Sequence, residues 1–346
     1  MRYYAGLDVS MKETFVCIVD EDGNIVYENK DFSDVKSLAK HLRSTGFKLT
    51  KIGLESGSLS HWLTTGLRKE GLEAICIDAR KMAAILSVQV NKTDKNDARG
   101  IADAMRCNYY KTVQIKSWDS VAVWSVLKTR KRLIDQRVQL TNSIRGMLKA
   151  YGIRLGSVAI EKFTTRVYEE IIELPEIVKG SINSLLNCVT HLIKEIEGLD
   201  KTLNAQAAAD EEIKLLMTAP GVGRLTAIAY RCALDDPTRF KNPYDVGAYF
   251  GLTPRQYSSG ETIKQGSISK CGNVDVRTLL MEAALVLLTR SKKWSSLKVW
   301  GLKLAKKKGY KKAAVAVARK LSVILYKMLI SKSEFRYTRD PALGEA

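Results

Sequence analysis

Four carboxylates carry the chemistry that the sequence suggests. Asp8 lies in GLDVS at 6–10, Glu55 in LESGS at 54–58, and Asp94 and Asp97 in KTDKNDA at 92–98. The i, i+3 spacing of the last pair puts both on one face of the helix that this segment opens. Carboxylates gathered from strand ends and a helix start form an oxygen cage suited to Mg2+. Two such ions about 4 Å apart stabilise the entering and leaving oxygens of a phosphodiester displacement. Singly, each acid has a plainer reading, Asp94 as a helix cap and Glu55 as a loop carboxylate. The other usual catalytic types are sparse. His41, His61 and His191 stand apart from one another, and Cys17, Cys76, Cys107, Cys188, Cys232 and Cys271 form no CxxC pair, which disfavours zinc and disulfide chemistry.

The elements that must position these acids are legible as alternation. Residues 3–10, 13–20 and 24–32 alternate as a three-stranded meander with a turn at 22–24, and a helix is expected over 34–45. A short strand at 51–56, a helix over 58–70 and a strand at 72–78 follow. Strands first in a meander, then alternating with helices, predict a mixed α/β domain over residues 1–112. From about 115 the period becomes helical. Leu185, Val189, Leu192, Ile196, Leu199 and Leu203 step by fours and threes, as in a coiled coil, and Leu127, Ile134 and Leu148 fall on a seven-residue spacing before them. This predicts a coiled-coil helical hairpin over 113–208, interrupted at 152–165 and at Pro175, with pairing inside one chain or between two both open.

Residues 209–346 read as a mostly helical domain. Its opening, LLMTAPGVGRLTAIAYRCAL at 215–234, has the pattern of a helix-hairpin-helix, whose Gly221 and Gly223 would let backbone N–H groups approach a phosphate. A plain helix-turn-helix connection is the alternative.

The whole chain has 346 residues, 56 Lys plus Arg against 37 Asp plus Glu, and a formal charge of +19. Residues 288–346 hold 16 of the basic residues and 3 of the acidic ones, a difference of +13. Such a basic tail, interleaved with Trp294, Trp300, Tyr310 and Tyr326, suits a polyanion, and a solvated helix face is its plain reading. No apolar run is long enough for a bilayer, and MRYYAGLDVSM lacks the order of a signal peptide, so a cytoplasmic protein with no membrane partner is expected.

The acids in the order Asp, Glu, Asp-x-x-Asp resemble the DEDD set of RuvC-like nucleases of the RNase H fold. With them stand APGVG at 219–223, YFGLTPRQYSSG at 249–260 and GSISKCGNVDVRTLL at 266–280. Together, from about residue 4 to about 330, they resemble the DEDD transposases of the insertion-sequence-110 family, which includes the Piv/MooV-type DNA invertases and bridge-RNA-guided recombinases. The resemblance implies a RuvC-like N-terminal domain that holds Mg2+, two ions with Mn2+ able to substitute, through Asp8, Glu55, Asp94 and Asp97. It implies a coiled coil for assembly into a dimer or tetramer, and a C-terminal transposase domain whose serine nucleophile maps onto Ser259, with Ser258 one residue away. Arg255, Lys264, Lys270 and Arg277 are then available to hold phosphates around that serine, with Gly260, Gly266 and Gly272 allowing close backbone approach. Lys92, Lys95 and Arg99 flank the acids and are expected to offset their charge on the substrate side.

The function implied is a recombinase that cuts and rejoins donor and target DNA, guided by a structured non-coding bridge RNA. The alternatives are a RuvC-like Holliday-junction endonuclease, a site-specific DNA invertase, and a nucleic-acid-binding assembly protein with a degenerate metal site.

Overall fold

Tyr3–Val9 (β1), Glu13–Val19 (β2) and Ile25–Phe32 (β3) pair antiparallel in sequence order, as the alternation requires. The turn into β3 is held by Asp20, whose carboxylate accepts from the backbone of Asp22 and Asn24. The computed structural model describes residues 1–87, 93–259 and 262–338. After Val35–Ser44 (α1), Leu49–Glu55 (β4) adds parallel to β1, and after Ser60–Lys69 (α2), Ala74–Ile77 (β5) adds parallel to β4. The sheet order is β3-β2-β1-β4-β5, so β1 and β4 lie side by side at its centre. Ala79–Leu86 (α3), which the sequence did not announce, and Asp94–Arg106 (α4) complete the first unit, residues 1–116.

Period-2 alternation sorts the sheet's side chains onto two faces. Ala5, Leu7, Val16, Ile18, Ile52 and Leu54 face the apolar stripe of α1 and α2, among them Leu38, Leu42, Leu63 and Leu67. Their strand neighbours Tyr4, Cys17 and Val19 face α4 through Ala98, Ile101, Ala102 and Met105.

The second unit, residues 117–346, is built from helices. Trp118–Ala150 (α5) and Glu176–Ala209 (α7) are long, with Ile160–Glu170 (α6) between them inside part of the stretch expected to be irregular. Arg130 binds Asp200 at 3.0 Å while Ile144 and Leu148 pack with Ile182, Leu186 and Val189, so the two long helices run antiparallel. Along α7 the buried row is Ile182, Val189, Ile196 and Leu203, and the expected partners Leu185, Leu192 and Leu199 are only half-buried.

Glu211–Met217 (α8), Arg224–Leu234 (α9) and Asp245–Tyr249 (α10) lead to a two-stranded antiparallel hairpin, Pro254–Ser259 (β6) and Thr262–Ile268 (β7). The reading of the region as mostly helical gave no strands there. Val274–Thr289 (α11), Ser296–Lys308 (α12) and Tyr310–Ser331 (α13) follow. The expected basic tail is therefore two packed helices. Leu297, Ala305, Ala313, Val317, Leu321, Leu325 and Leu329 enter the core of the unit, and most of the lysines are exposed, Lys298 being buried. Among the described residues no helix is long and apolar enough to cross a membrane.

One close approach generates a test. A Cβ on Gly6 would lie 2.1 Å from the Ala98 carbonyl oxygen and 2.4 Å from the Ala102 nitrogen, both fixed backbone. Gly6→Ala should cost about 1–3 kcal/mol or more, as forced overpacking does. Gly57→Ala, where a Cβ meets nothing within 4 Å, should be near neutral. Urea unfolding of the two variants followed by circular dichroism checks this, and equal midpoints would refute the packing argument.

Candidate active site

Gly6 and Gly53 stand opposite each other on β1 and β4 and face α4. Backbone of α4 lies directly on Gly6, while Ile101 and Met105 reach within 2.9 Å of a Cβ built on Gly53. Two residues further along each strand, on the same face, come Asp8 and Glu55. Continuing the Leu7–Leu54 pairing by one residue puts these acids side by side on adjacent strands, about 4.8 Å apart in backbone. The first turn of α4 stands at the same edge, since Gly6 meets Ala98 and Ala102 and the helix start precedes them. That turn carries Asp94 and Asp97 and is capped by Thr93, whose hydroxyl accepts from Asn96 N at 3.2 Å. Negative side chains suit the positive end of a helix. Asp8, Glu55 and Asp97 are half-buried and Asp94 is exposed.

The acids share an edge without forming a coordination shell. Among the described residues, no three His, Cys, Asp or Glu side chains are grouped to hold a metal ion. Part of the reason is Lys30. In register it follows Asp8 and Phe15 across the sheet, and its ammonium lies 3.8 Å from Asp94 and 3.8 Å from Glu13. Asp94 is thereby paired with a cation of β3.

Lys95 and Arg99, expected on the substrate side, are turned to the sheet instead. Both bind Glu28 on β3, Lys95 at 2.8 Å and Arg99 through two guanidinium nitrogens. Hydrogen bonding to Arg99 holds the Glu28 carboxyl below the usual carboxylate range. Cys17 lies beside Glu28 in register, and burial with that carboxylate pushes its thiol up to about 12, which rules it out as a thiolate at neutral pH. Lys92 falls outside the described residues. Sequence reasoning missed Glu28 and Lys30, although a charged i, i+2 pair inside an alternating strand was the available signal. The histidines are structural where their bonds are defined: His41 bridges Asp31 at 3.1 Å and Tyr27 at 2.9 Å.

In the second unit Ser259 ends β6 and Ser258 precedes it, both exposed, in register with Thr262 and Ile263. Gln256 Nε2 donates to the Ser258 hydroxyl at 2.9 Å. The base of this hairpin is an interlock of two left-handed glycines. Gly251 (φ +68) would place a Cβ 2.2 Å from the Cys271 carbonyl oxygen, and Gly272 (φ +74) one 2.0 Å from the Tyr249 carbonyl oxygen. Arg277, expected on phosphate, is 8% exposed and points into this base, donating to the carbonyls of Phe250 at 3.1 Å and Cys271 at 2.9 Å. It is a tie between the two ends of the hairpin rather than a surface cation. Arg255, Lys264 and Lys270 are exposed on or beside the hairpin. Gly266 meets only ordinary contacts with Tyr257 and Arg255, and Gly260 lies outside the described residues. Gly221 (φ +85) has a packing task as well, because a Cβ there would lie 2.2 Å from the Ala283 carbonyl oxygen of α11. Gly223 is open and caps α9. The acids and Ser259 thus belong to different units.

Two family models match the chain, the first of them reaching from the first unit into α5. Residues 5–153 match the transposase family DEDD_Tnp_IS110, and residues 213–299 match the Transposase IS116/IS110/IS902 family. The sequence is 31% identical over 344 residues to the transposase for insertion sequence element IS1111A of Coxiella burnetii, covering 96% of this chain and 90% of that one. It is 30% identical over 240 residues to the transposase for insertion sequence element IS1328 of Yersinia enterocolitica, covering 69% and 71%. It is 24% identical over 354 residues to the pilin gene-inverting protein of Moraxella lacunata, covering 96% and 98%.

The Glu28 clasp predicts a pH signature. A carboxyl depressed in the fold contributes stability that is full above its unfolded pKa, 4.5, and is lost as the pH falls through the lower folded value. Wild type and Glu28→Gln should therefore differ most in urea midpoint near neutral pH and converge as the pH drops below about 4.5. A gap that stays constant from neutral to acid pH would contradict the ion-pair account.

Proposed function

The chain belongs to the IS116/IS110/IS902 family of transposases, DNA recombination enzymes, and on that premise we propose that it cuts and rejoins DNA with its acidic edge and Ser259. The observation that carries this reading is the placement of Asp8, Glu55 and the Asp94–Asp97 turn at one edge and on one face of the sheet, fixed by the glycine contact with α4. The strand order β3-β2-β1-β4-β5 supports a RuvC-like domain. All four donors are carboxylates, the type that suits Mg2+ or Mn2+. A bound ion would supply charge neutralisation at the scissile phosphate and lower the pKa of a coordinated hydroxyl. Asp8, Glu55, Asp94 and Asp97 are the residues that would hold it.

Ser259 supplies the nucleophile at the exposed end of β6. Its Oγ forms a bond to phosphorus as the bond from phosphorus to one deoxyribose oxygen breaks, the serine loses its proton, and the released sugar oxygen gains one. The phosphodiester count is unchanged, so the reverse attack can rejoin a strand without another energy source. Arg255, Lys264 and Lys270 sit where backbone phosphates of that strand can be held. Gly223, open at the start of α9, supports the helix-hairpin-helix reading of that turn.

Assembly into a dimer or tetramer is supported by half-buried Leu192 and Leu199, in an a/d companion to the buried row of α7 that leaves apolar surface for a second chain. A guiding bridge RNA rests on the family resemblance and agrees with the charge of +19. The relative named as a pilin gene-inverting protein supports inversion as one outcome of the same strand chemistry.

Recombination assayed with Mg2+ should fall at least a hundredfold in Asp8→Asn and in Asp97→Asn, an effect of the size seen when one catalytic charge interaction is removed. Denaturing gels of protein with labelled DNA should show a covalent adduct for wild type and Ser258→Ala and none for Ser259→Ala. Cleavage without an adduct in any variant, persisting in the double serine mutant, would replace this reading by a junction nuclease.

A further inference from the structure

We propose that the cleft formed by α12 with the preceding Trp294 and Ser295, α13, and Tyr337 and Thr338 binds unpaired nucleotides of single-stranded DNA, an inference that rests on the DNA-cutting reading. The cleft has a volume of about 920 Å3 and is lined by Trp294, Trp300, Ile324, Tyr337, Lys303 and Lys320. Trp294 is 64% exposed, a large aromatic surface left to solvent. It is nonetheless braced. Lys298, itself 8% exposed, sets its ammonium 4.8 Å from the Trp294 ring centre and donates to the Ser291 carbonyl at 2.5 Å. The pattern repeats twice more, with Lys320 4.0 Å from the Trp300 ring and Lys293 5.4 Å from the Tyr337 ring.

Aromatic faces alternating with ammonium groups are what a single strand requires. Each unpaired base offers a face to stack on, and each intervening phosphate takes a cation. A duplex keeps its base faces inside its own stack and cannot use the rings. The charge pattern also argues against a second protein. Protein interfaces are depleted of lysine, whereas four lysines surround these rings and no acid is among the described residues that line the cleft. Between the two nucleic acids, DNA is the one that cutting and rejoining leaves with unpaired strand ends.

The test is fluorescence anisotropy of the full chain with a labelled oligo-dT of about twelve nucleotides, within the usual site size, against a duplex and an oligo-U of equal length over a range of salt. Trp294→Ala should weaken oligo-dT binding about fivefold or more with an unchanged salt slope, and Trp294→Phe should largely restore it. The double change Lys303→Gln, Lys320→Gln should lower the slope by about 1.4, at about 0.7 per single-strand phosphate contact. Duplex binding should not respond to Trp294→Ala. Oligo-dT affinity unchanged in Trp294→Ala, or an equal loss on duplex, would overturn the proposal. Dependence on Trp294 for oligo-U alone would assign the cleft to RNA. Dimer mass lost in Trp294→Ala with oligo-dT affinity intact would assign it to a second copy. Binding that appears only after residues 339–346 are deleted would make the chain's own end the occupant. The assay needs no strand cleavage, so loss of the Ser259 adduct and loss of Trp294-dependent binding are separate results.

Discussion

The first unit depends on one contact, the seating of α4 on two glycines of neighbouring parallel strands, its backbone on Gly6 and its Ile101 and Met105 side chains on Gly53. A side chain at Gly6 would lift α4 off β1, because the atoms above it are main chain and cannot rotate away. The consequence is positional. With α4 pressed onto the sheet at Gly6 and Gly53, the next inward positions are Asp8 and Glu55, and the helix start with Asp94 and Asp97 comes over that same edge. Repulsion among four carboxylates opposes such a gathering. The fold accommodates them at the ends of the central strands β1 and β4 and the start of α4, where three are only half-buried, beside a helix N-terminus and Lys30.

Glu28 completes that arrangement from the other side. The glycine contact fixes the height of α4 above the sheet but leaves it free to slide or rotate. Lys95 and Arg99, a turn apart, both reach Glu28, and a bidentate guanidinium–carboxylate pair adds direction to attraction. A cation on the same helix as Asp94 and Asp97 reads naturally as a partner for a substrate's phosphates. Here its task is to orient the helix, and the acid it binds belongs to no catalytic motif.

The strands of the first unit, its helices other than α3 and the long helical hairpin were legible because each has a clear period: two in 3–10 and 13–20, seven in the row through Val189, Ile196 and Leu203. The acids were legible through their order and the motifs around them. Three features were not. Which row of α7 faces inward depends on the helix opposite, and neither sequence states it alone. The hairpin at 254–268 escaped notice because all of β6 is exposed, so no apolar alternation marks it. Charge counting made residues 288–346 a tail, while the apolar positions that bury α12 and α13, such as Ala313, Val317 and Leu321, are ordinary in type and surrounded by lysine.

The same device recurs in the second unit, and it changes how the shared motifs should be read. YFGLTPRQYSSG and GSISKCGNVDVRTLL contain glycines and an arginine that suggest phosphate binding by composition. Gly251 and Gly272, both left-handed, instead let two backbone segments cross at the foot of a hairpin, and Arg277 fastens the crossing by donating to a carbonyl on each side. Ser258 and Ser259 stand at the far end of that hairpin, exposed and in register with β7. In each unit, then, a motif combines two classes of residue with different modes of failure. Substituting Gly6, Gly53, Gly251, Gly272 or Arg277 removes the platform and acts through folding. Under the proposed reading, substituting Asp8, Glu55, Asp97 or Ser259 leaves the platform standing and acts through chemistry. Adjacency in sequence hides the distinction, since Gly6 and Asp8 are two residues apart. What separates them is that the backbone of α4 lies directly along the Cβ direction of Gly6.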